Sequence, residues 1–122
     1  MSKSILIVED SSAIRDLLKF SLEPEGYTLF TAENGKSALN IVDKKELDLI
    51  ITDLQMPIMT GFELIQEIKT RGTNIPIIAI TAYNNSSAEM EAISNKVYML
   101  LEKPLDLMVL LGIIKEAINK PK

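Results

Sequence analysis

Residues 47–53 read LDLIITD, a nearly unbroken apolar run that ends on a carboxylate. Continuous rather than alternating apolar residues mark a strand buried on both faces. Such a strand needs covering layers above and below, so the remaining chain must supply helices. Four further runs rich in Ile, Leu, Val, Thr or Tyr fit the same pattern: SILIVE (4–9), YTLFTA (27–32), IPIIAIT (75–81) and VYMLLE (97–102). Helix-length segments separate them. Ala13, Ile14, Leu17, Leu18 and Leu22 form one apolar stripe, and Phe62, Ile65 and Ile68 form another. Gly26 and Gly72 stand where left-handed helix caps are expected, and Pro24 and Asn34-Gly35 mark breaks. Five strands alternating with helices predict a parallel sheet covered on both sides, within one domain over residues 1–122.

Composition narrows the chemistry. The chain has 122 residues, 47% hydrophobic and 25% charged, enough for one core. A net charge of −4 argues against direct nucleic-acid binding through a broad basic surface. There is no cysteine, so disulfide and thiolate chemistry are out. There is no histidine either, which removes the commonest general base, zinc ligand and phosphohistidine carrier. The N-terminus lacks the pattern of a signal peptide. The most apolar stretch, LLEKPLDLMVLLGII (100–114), is interrupted by Glu102 and Lys103 and is too short to cross a bilayer. A cytoplasmic protein without membrane association is the default expectation.

In parallel α/β sheets the functional crevice lies at the carboxyl ends of the strands. Glu9 and Asp10 end the first strand, Asp53 the third, Thr81-Ala82 the fourth and Lys103-Pro104 the fifth. Taken singly, an aspartate at a strand end is most often a turn former or helix cap. A lone Thr81 reads as a strand residue and a lone Lys103 as a solvated charge. Together they place three carboxylates, a hydroxyl and an ammonium in one crevice. Clustered carboxylates repel one another, and a Mg²⁺ ion offsets this with oxygen ligands. Carboxylates, a hard cation, a lysine and a hydroxyl suit phosphoryl transfer, where catalysis is mainly positioning and charge neutralisation.

The motif DLQMPIMTG (53–61), with ILIVEDS, IIAITA and EKPLD at the other strand ends, closely resembles the receiver domain of bacterial two-component response regulators. The likeness covers essentially the whole chain. It implies the flavodoxin-like three-layer sandwich of the chemotaxis response regulator, with strand order 2-1-3-4-5 and five helices. By that resemblance Asp53 is the phosphoacceptor, taking a phosphoryl group from a histidine kinase or histidine phosphotransfer protein. Asp10 holds Mg²⁺ directly, Glu9 through water, and the Gln55 backbone carbonyl is a further ligand beside Asp53. Lys103 pairs with Asp53 and then with the phosphoryl group, and Thr81 is the switch hydroxyl. Ala82 leaves the entrance open, Lys103-Pro104 is a cis peptide, and Gln55 and Tyr83 hold positions that tune phosphoryl lifetime.

Two departures bear on signalling. The family usually has Tyr or Phe three residues before the lysine, and here that residue is Leu100. Strand alternation puts Tyr98 on the same face as Leu100, so coupling runs either through Tyr98 or through repacking of aliphatic groups. In the last helix Leu107, Leu110, Leu111, Ile114, Ala117 and Ile118 share a core face. Met108, Val109 and Ile113 lie outside it or on its flank, forming with Met99 and Leu100 an apolar patch. The family uses its helix 4–strand 5–helix 5 face for downstream partners or homodimers.

Two other readings compete with a signalling module that catalyses only its own phosphorylation and dephosphorylation. A Mg²⁺-dependent phosphohydrolase with an aspartyl intermediate wants an acid or base two residues after its nucleophile, where Gln55 stands, and a cap segment. A degenerate binding-only receiver would not keep Glu9, Asp10, Asp53, Thr81 and Lys103 intact. The terminal NKPK reads either as a natural end or as the start of a linker.

Overall fold

The computed structural model describes residues 2–82 and 87–119. Its elements alternate as expected: β1 Ser4–Val8, α1 Ser12–Leu22, a short 3₁₀ turn Glu23–Glu25, β2 Thr28–Ala32, α2 Gly35–Lys44, β3 Leu49–Asp53, α3 Gly61–Thr70, β4 Ile77–Thr81, α4 Ser87–Ser94, β5 Met99–Glu102 and α5 Leu107–Asn119. The sheet is parallel throughout, in the order β2-β1-β3-β4-β5.

Every residue of β3 and β4 is buried, the outcome that the unbroken apolar runs demand. Alternate residues divide between two cores. Leu6, Val8 and Ile50 pack on one face with Leu39 of α2, with Leu64, Ile65 and Ile68 of α3, and with Ile93 of α4. Ile5, Ile7, Leu49, Ile51, Ile78 and Ile80 pack on the other with Leu18 and Leu22 of α1 and with Leu110, Ile114, Ala117 and Ile118 of α5. Gly26 and Gly72 both adopt left-handed conformations, as their places after helical segments predict. Helix starts are set by side-chain caps. Ser11 accepts from Ile14 N, Asn34 from Ser37 N, and Thr60 forms a reciprocal capping box with Glu63.

Three expectations need correction. The α1 stripe is narrower than its periodicity suggests, because Ala13 is exposed and Leu17 is 51% exposed. Leu17 lines an open cavity together with Ile14, Pro104, Leu105 and Leu107. In α5, Met108 and Val109 are exposed, but Ile113 is half-buried and packs against the α1/α5 core. Finally, Tyr98 and Leu100 do not share a face. β5 begins only at Met99, and Val97 and Tyr98 form a bend ahead of it. Alternation therefore does not extend back through Tyr98. Tyr98 packs with Leu101 on the α1/α5 side, whereas Leu100 and Val97 pack on the α2/α3/α4 side.

One backbone position is strained. Ile58, between β3 and α3, has φ of 70° with its side chain 77% exposed. A β-branched residue there meets the Cβ–carbonyl crowding that disfavours left-handed backbone, and no burial of the side chain offsets it. Ile58→Asn should stabilise the fold by ~1 kcal/mol, because Asn tolerates this region. A thermal melt should then show a midpoint about 4 °C higher; an unchanged or lower midpoint would contradict the strain.

Candidate active site

The crevice forms where β1, β3, β4 and β5 all end. Asp53 closes β3 and is 2% exposed. A buried carboxylate must be satisfied, and both of its oxygens are. Asp53 Oδ2 pairs with Lys103 Nζ at 2.6 Å, and Oδ1 accepts the Gln55 backbone N–H at 2.9 Å. Glu9, also 2% exposed, lies 3.7 Å from the same ammonium through Oε1, and its Oε2 accepts the Ser11 N–H at 3.1 Å. Asp10 is exposed at the rim. One carboxylate oxygen from each of Glu9, Asp10 and Asp53 lies within 4.8 Å of the other two.

Backbone packing fixes this arrangement from behind. Gly61 N donates to Leu54 O at 3.1 Å, folding the start of α3 back onto the end of β3. A β-carbon at Gly61 would overlap the Asp53 carbonyl and come within 2.6 Å of Leu54 Cα, so only glycine fits. Lys103 N donates to Thr81 O at 2.8 Å, continuing the β4–β5 ladder to the lysine itself. The Lys103-Pro104 peptide is cis, as the resemblance implies. Thr81 is fully buried, and its hydroxyl donates to the Ala82 carbonyl at 3.0 Å. Ala82 is half-buried, and the Gln55 side chain is exposed. Tyr83 lies outside the described residues.

The sequence brings Glu9, Asp10, Asp53, Thr81 and Lys103 to adjacent strand ends, as the strand-end rule predicts. Two features escape it. Arg15 Nη1 donates to the carbonyls of Glu9 and Asp10, at 2.7 and 3.2 Å; the only signal is a basic residue one turn inside α1. An open apolar cavity of about 580 Å³ adjoins Lys103, lined by Ile14, Leu17, Ala82, Pro104, Leu105 and Leu107. Its α1 residues read as core stripe in the sequence.

Charge is unevenly balanced. Burial pushes the Glu9 carboxyl up to about 7, with the neighbouring Asp10 and Asp53 carboxylates adding to the rise and the Ser11 N–H opposing it. Partial burial would lower the Lys103 ammonium, but the hydrogen bond and charge of Asp53, with Glu9 and Asp10 behind it, hold it above the ordinary lysine value. The donor set suits a small hard cation: three carboxylates, all oxygen, with Asp10 open to water.

Fold and site together define a doubly wound α/β protein with an acidic, lysine-bearing crevice at its strand ends. A family model for the response regulator receiver domain matches residues 5–115, and the chain belongs to that family. It is 36% identical to sporulation initiation phosphotransferase F of Bacillus subtilis, over 98% of this chain and 94% of that protein. It is 32% identical to the DNA-binding transcriptional regulator NtrC of Escherichia coli K12 over 94% of this chain, spanning only 24% of the regulator. Among solved structures, a receiver domain protein from Methanospirillum hungatei JF-1 superposes with a TM-score of 0.90 at 29% identity, covering 98% of this chain and 95% of that one. Receiver domains of this family are signalling modules of two-component systems, with a CheY-like flavodoxin fold. None of the described helices is long and apolar enough to cross a membrane.

The raised Glu9 value has a direction that can be checked. Between its ordinary value of 4.5 and about 7 the folded state holds a proton that the unfolded state has lost. Stability from this group is therefore complete below 4.5 and is lost as pH rises through 7. In metal-free protein, Glu9→Gln should flatten the fall in melting midpoint across that window; an identical pH profile for both proteins would refute the assignment.

Proposed function

We propose that this chain is a phosphorylation-switched receiver in which Asp53 accepts a phosphoryl group from a histidine kinase or histidine phosphotransfer protein in the cytoplasm. The observation that carries this reading is the 2.6 Å Lys103–Asp53 contact with Glu9 and Asp10 beside it. An Asp53 oxygen attacks the donor phosphorus, the phosphorus–imidazole nitrogen bond breaks, and the imidazole leaves with its electron pair. Lys103 shifts from the carboxylate to the phosphoryl oxygens, replacing a lost ion pair with a new one. The buried Thr81 hydroxyl exchanges its Ala82 carbonyl for a phosphoryl oxygen. Glu9, Asp10, Asp53 and the Gln55 carbonyl would hold Mg²⁺, which when bound supplies positive charge against the carboxylates and the incoming phosphate. Residues 1–122 act as one receiver domain in this scheme, with Gln55, Ala82 and Tyr83 around the phosphoryl group tuning its lifetime.

Output runs through the α4–β5–α5 face. Leu100 replaces the usual aromatic, and Tyr98 packs on the opposite side of the sheet, so the coupling is repacking of aliphatic groups around Leu100. Met108 at 79%, Val109 at 50% and Met99 at 37% exposure supply apolar area on that face for a downstream protein or a second copy of the chain.

With acetyl phosphate and Mg²⁺, intact-mass measurement should show one phosphoryl group per chain, absent in Asp53→Asn. Lys103→Ala should slow its appearance about a hundredfold. Continuous release of inorganic phosphate from small phosphate esters would point instead to a hydrolase. Beryllofluoride-loaded protein should gain mass by light scattering, and Met108→Glu with Val109→Lys should return it to the monomer. A dimer that survives those charges would place the contact elsewhere.

A further inference from the structure

The loop joining β1 to α1 consists of Glu9, Asp10 and Ser11. It carries two of the three clustered carboxylates, so its backbone decides how far apart they stand. Its front is held by Glu9 N donating to Ala32 O at 3.0 Å, and its back by the Ser11 cap of α1. Between these anchors the chain could still rotate about Asp10, whose exposed carboxylate is aimed by its backbone alone or with help from Glu9.

Arg15 closes that gap. Its backbone N–H donates to Ser11 O at 3.0 Å. Its Nη1 reaches back to two successive carbonyls, Glu9 O at 2.7 Å and Asp10 O at 3.2 Å. One terminal guanidinium nitrogen carries two hydrogens, so both carbonyls are served by one rigid, planar group. Fixing two neighbouring carbonyls fixes the peptide planes between them, and with them the Cα–Cβ directions of Glu9 and Asp10. Arg15 is half-buried and makes no ion pair among the described residues. Its charge is therefore directed at backbone oxygens, leaving the carboxylates of the cluster to other partners.

We propose that Arg15 is a positioning residue for the cation site: by gripping the carbonyls of Glu9 and Asp10 it sets the spacing of the carboxylates that would hold Mg²⁺. This rests on the Mg²⁺ reading above. Groups that orient metal ligands without touching the metal are typically worth about 10–100-fold in affinity. An arginine that merely braces the start of α1 would change stability and leave the affinity of the folded protein untouched.

The two roles separate in a Mg²⁺ titration of the folded, metal-free chain, followed by amide NMR shifts and calorimetry. Arg15→Ala should weaken Mg²⁺ binding at least about tenfold while the protein remains folded at the titration temperature. It should also speed hydrogen exchange at Asp10, Ser11 and Ser12 without changing exchange in β3. Arg15→Lys, whose ammonium has hydrogens to donate but lacks the planar guanidinium's reach, should recover part of the affinity. Wild-type affinity in Arg15→Ala, or equal weakening in Arg15→Ala and Arg15→Lys, would overturn the proposal. Should the alanine variant not fold, Arg15→Lys and Arg15→Gln decide the matter: lysine must bind Mg²⁺ more tightly than glutamine, and the reverse order refutes it. If the wild type itself binds no Mg²⁺, the cation reading fails on its own. The exchange measurement still reports whether Arg15 holds the loop.

Discussion

The contact between Lys103 and Asp53 joins residues fifty positions apart and closes the carboxyl end of the sheet. β3 and β5 are not neighbours; β4 lies between them. The lysine therefore spans a strand to reach a carboxylate that is almost fully buried. An isolated buried carboxylate costs several kcal/mol in lost hydration. Here the ammonium and the Gln55 N–H supply both oxygens with donors, so the buried Asp53 side chain is fully partnered at the end of an apolar strand. Without that pairing, an acid at the end of an all-buried strand would be a defect. With it, the acid is held in place, one oxygen on the ammonium and the other on a backbone N–H.

What lies behind the carboxylate matters equally. Gly61 lets α3 begin against the Asp53 carbonyl, and the Thr60–Glu63 capping box gives that helix a defined first turn. Any side chain at Gly61 would push α3 away from β3 and carry the Gln55 N–H with the intervening loop. The strained Ile58 lies inside this same short connection. Tight closure at both ends of the loop over-determines its middle, which is how an unfavourable dihedral persists.

Much of this was legible in the residues. Unbroken apolar runs announce strands with two buried faces, and charged or hydroxylic residues at four strand ends announce where the chemistry collects. The misreadings share a cause, because each depends on what stands opposite a residue. Tyr98 fits a period-2 pattern, yet a bend at Val97–Tyr98 shifts the phase before β5 begins. Leu17 fits a helical stripe, yet it borders an open cavity and stays half exposed. Ile113 looks surplus on a helical wheel, yet it packs against the core that α1 and α5 share. Arg15 had no pattern to announce it, because its partners are backbone carbonyls.

The electrostatics of the crevice follow from counting its groups. Three carboxylates face one ammonium. One ammonium cannot neutralise three acids. The imbalance is expressed where a buried carboxylate has the weaker pairing. Asp53 has a 2.6 Å ion pair, while Glu9 has the same ammonium only at 3.7 Å and retains its proton to about 7. A cation bound among these carboxylates competes with that proton, so its affinity must rise as pH passes through neutrality. The same deficit of positive charge that raises the Glu9 carboxyl would also favour a cation placed among these three carboxylates.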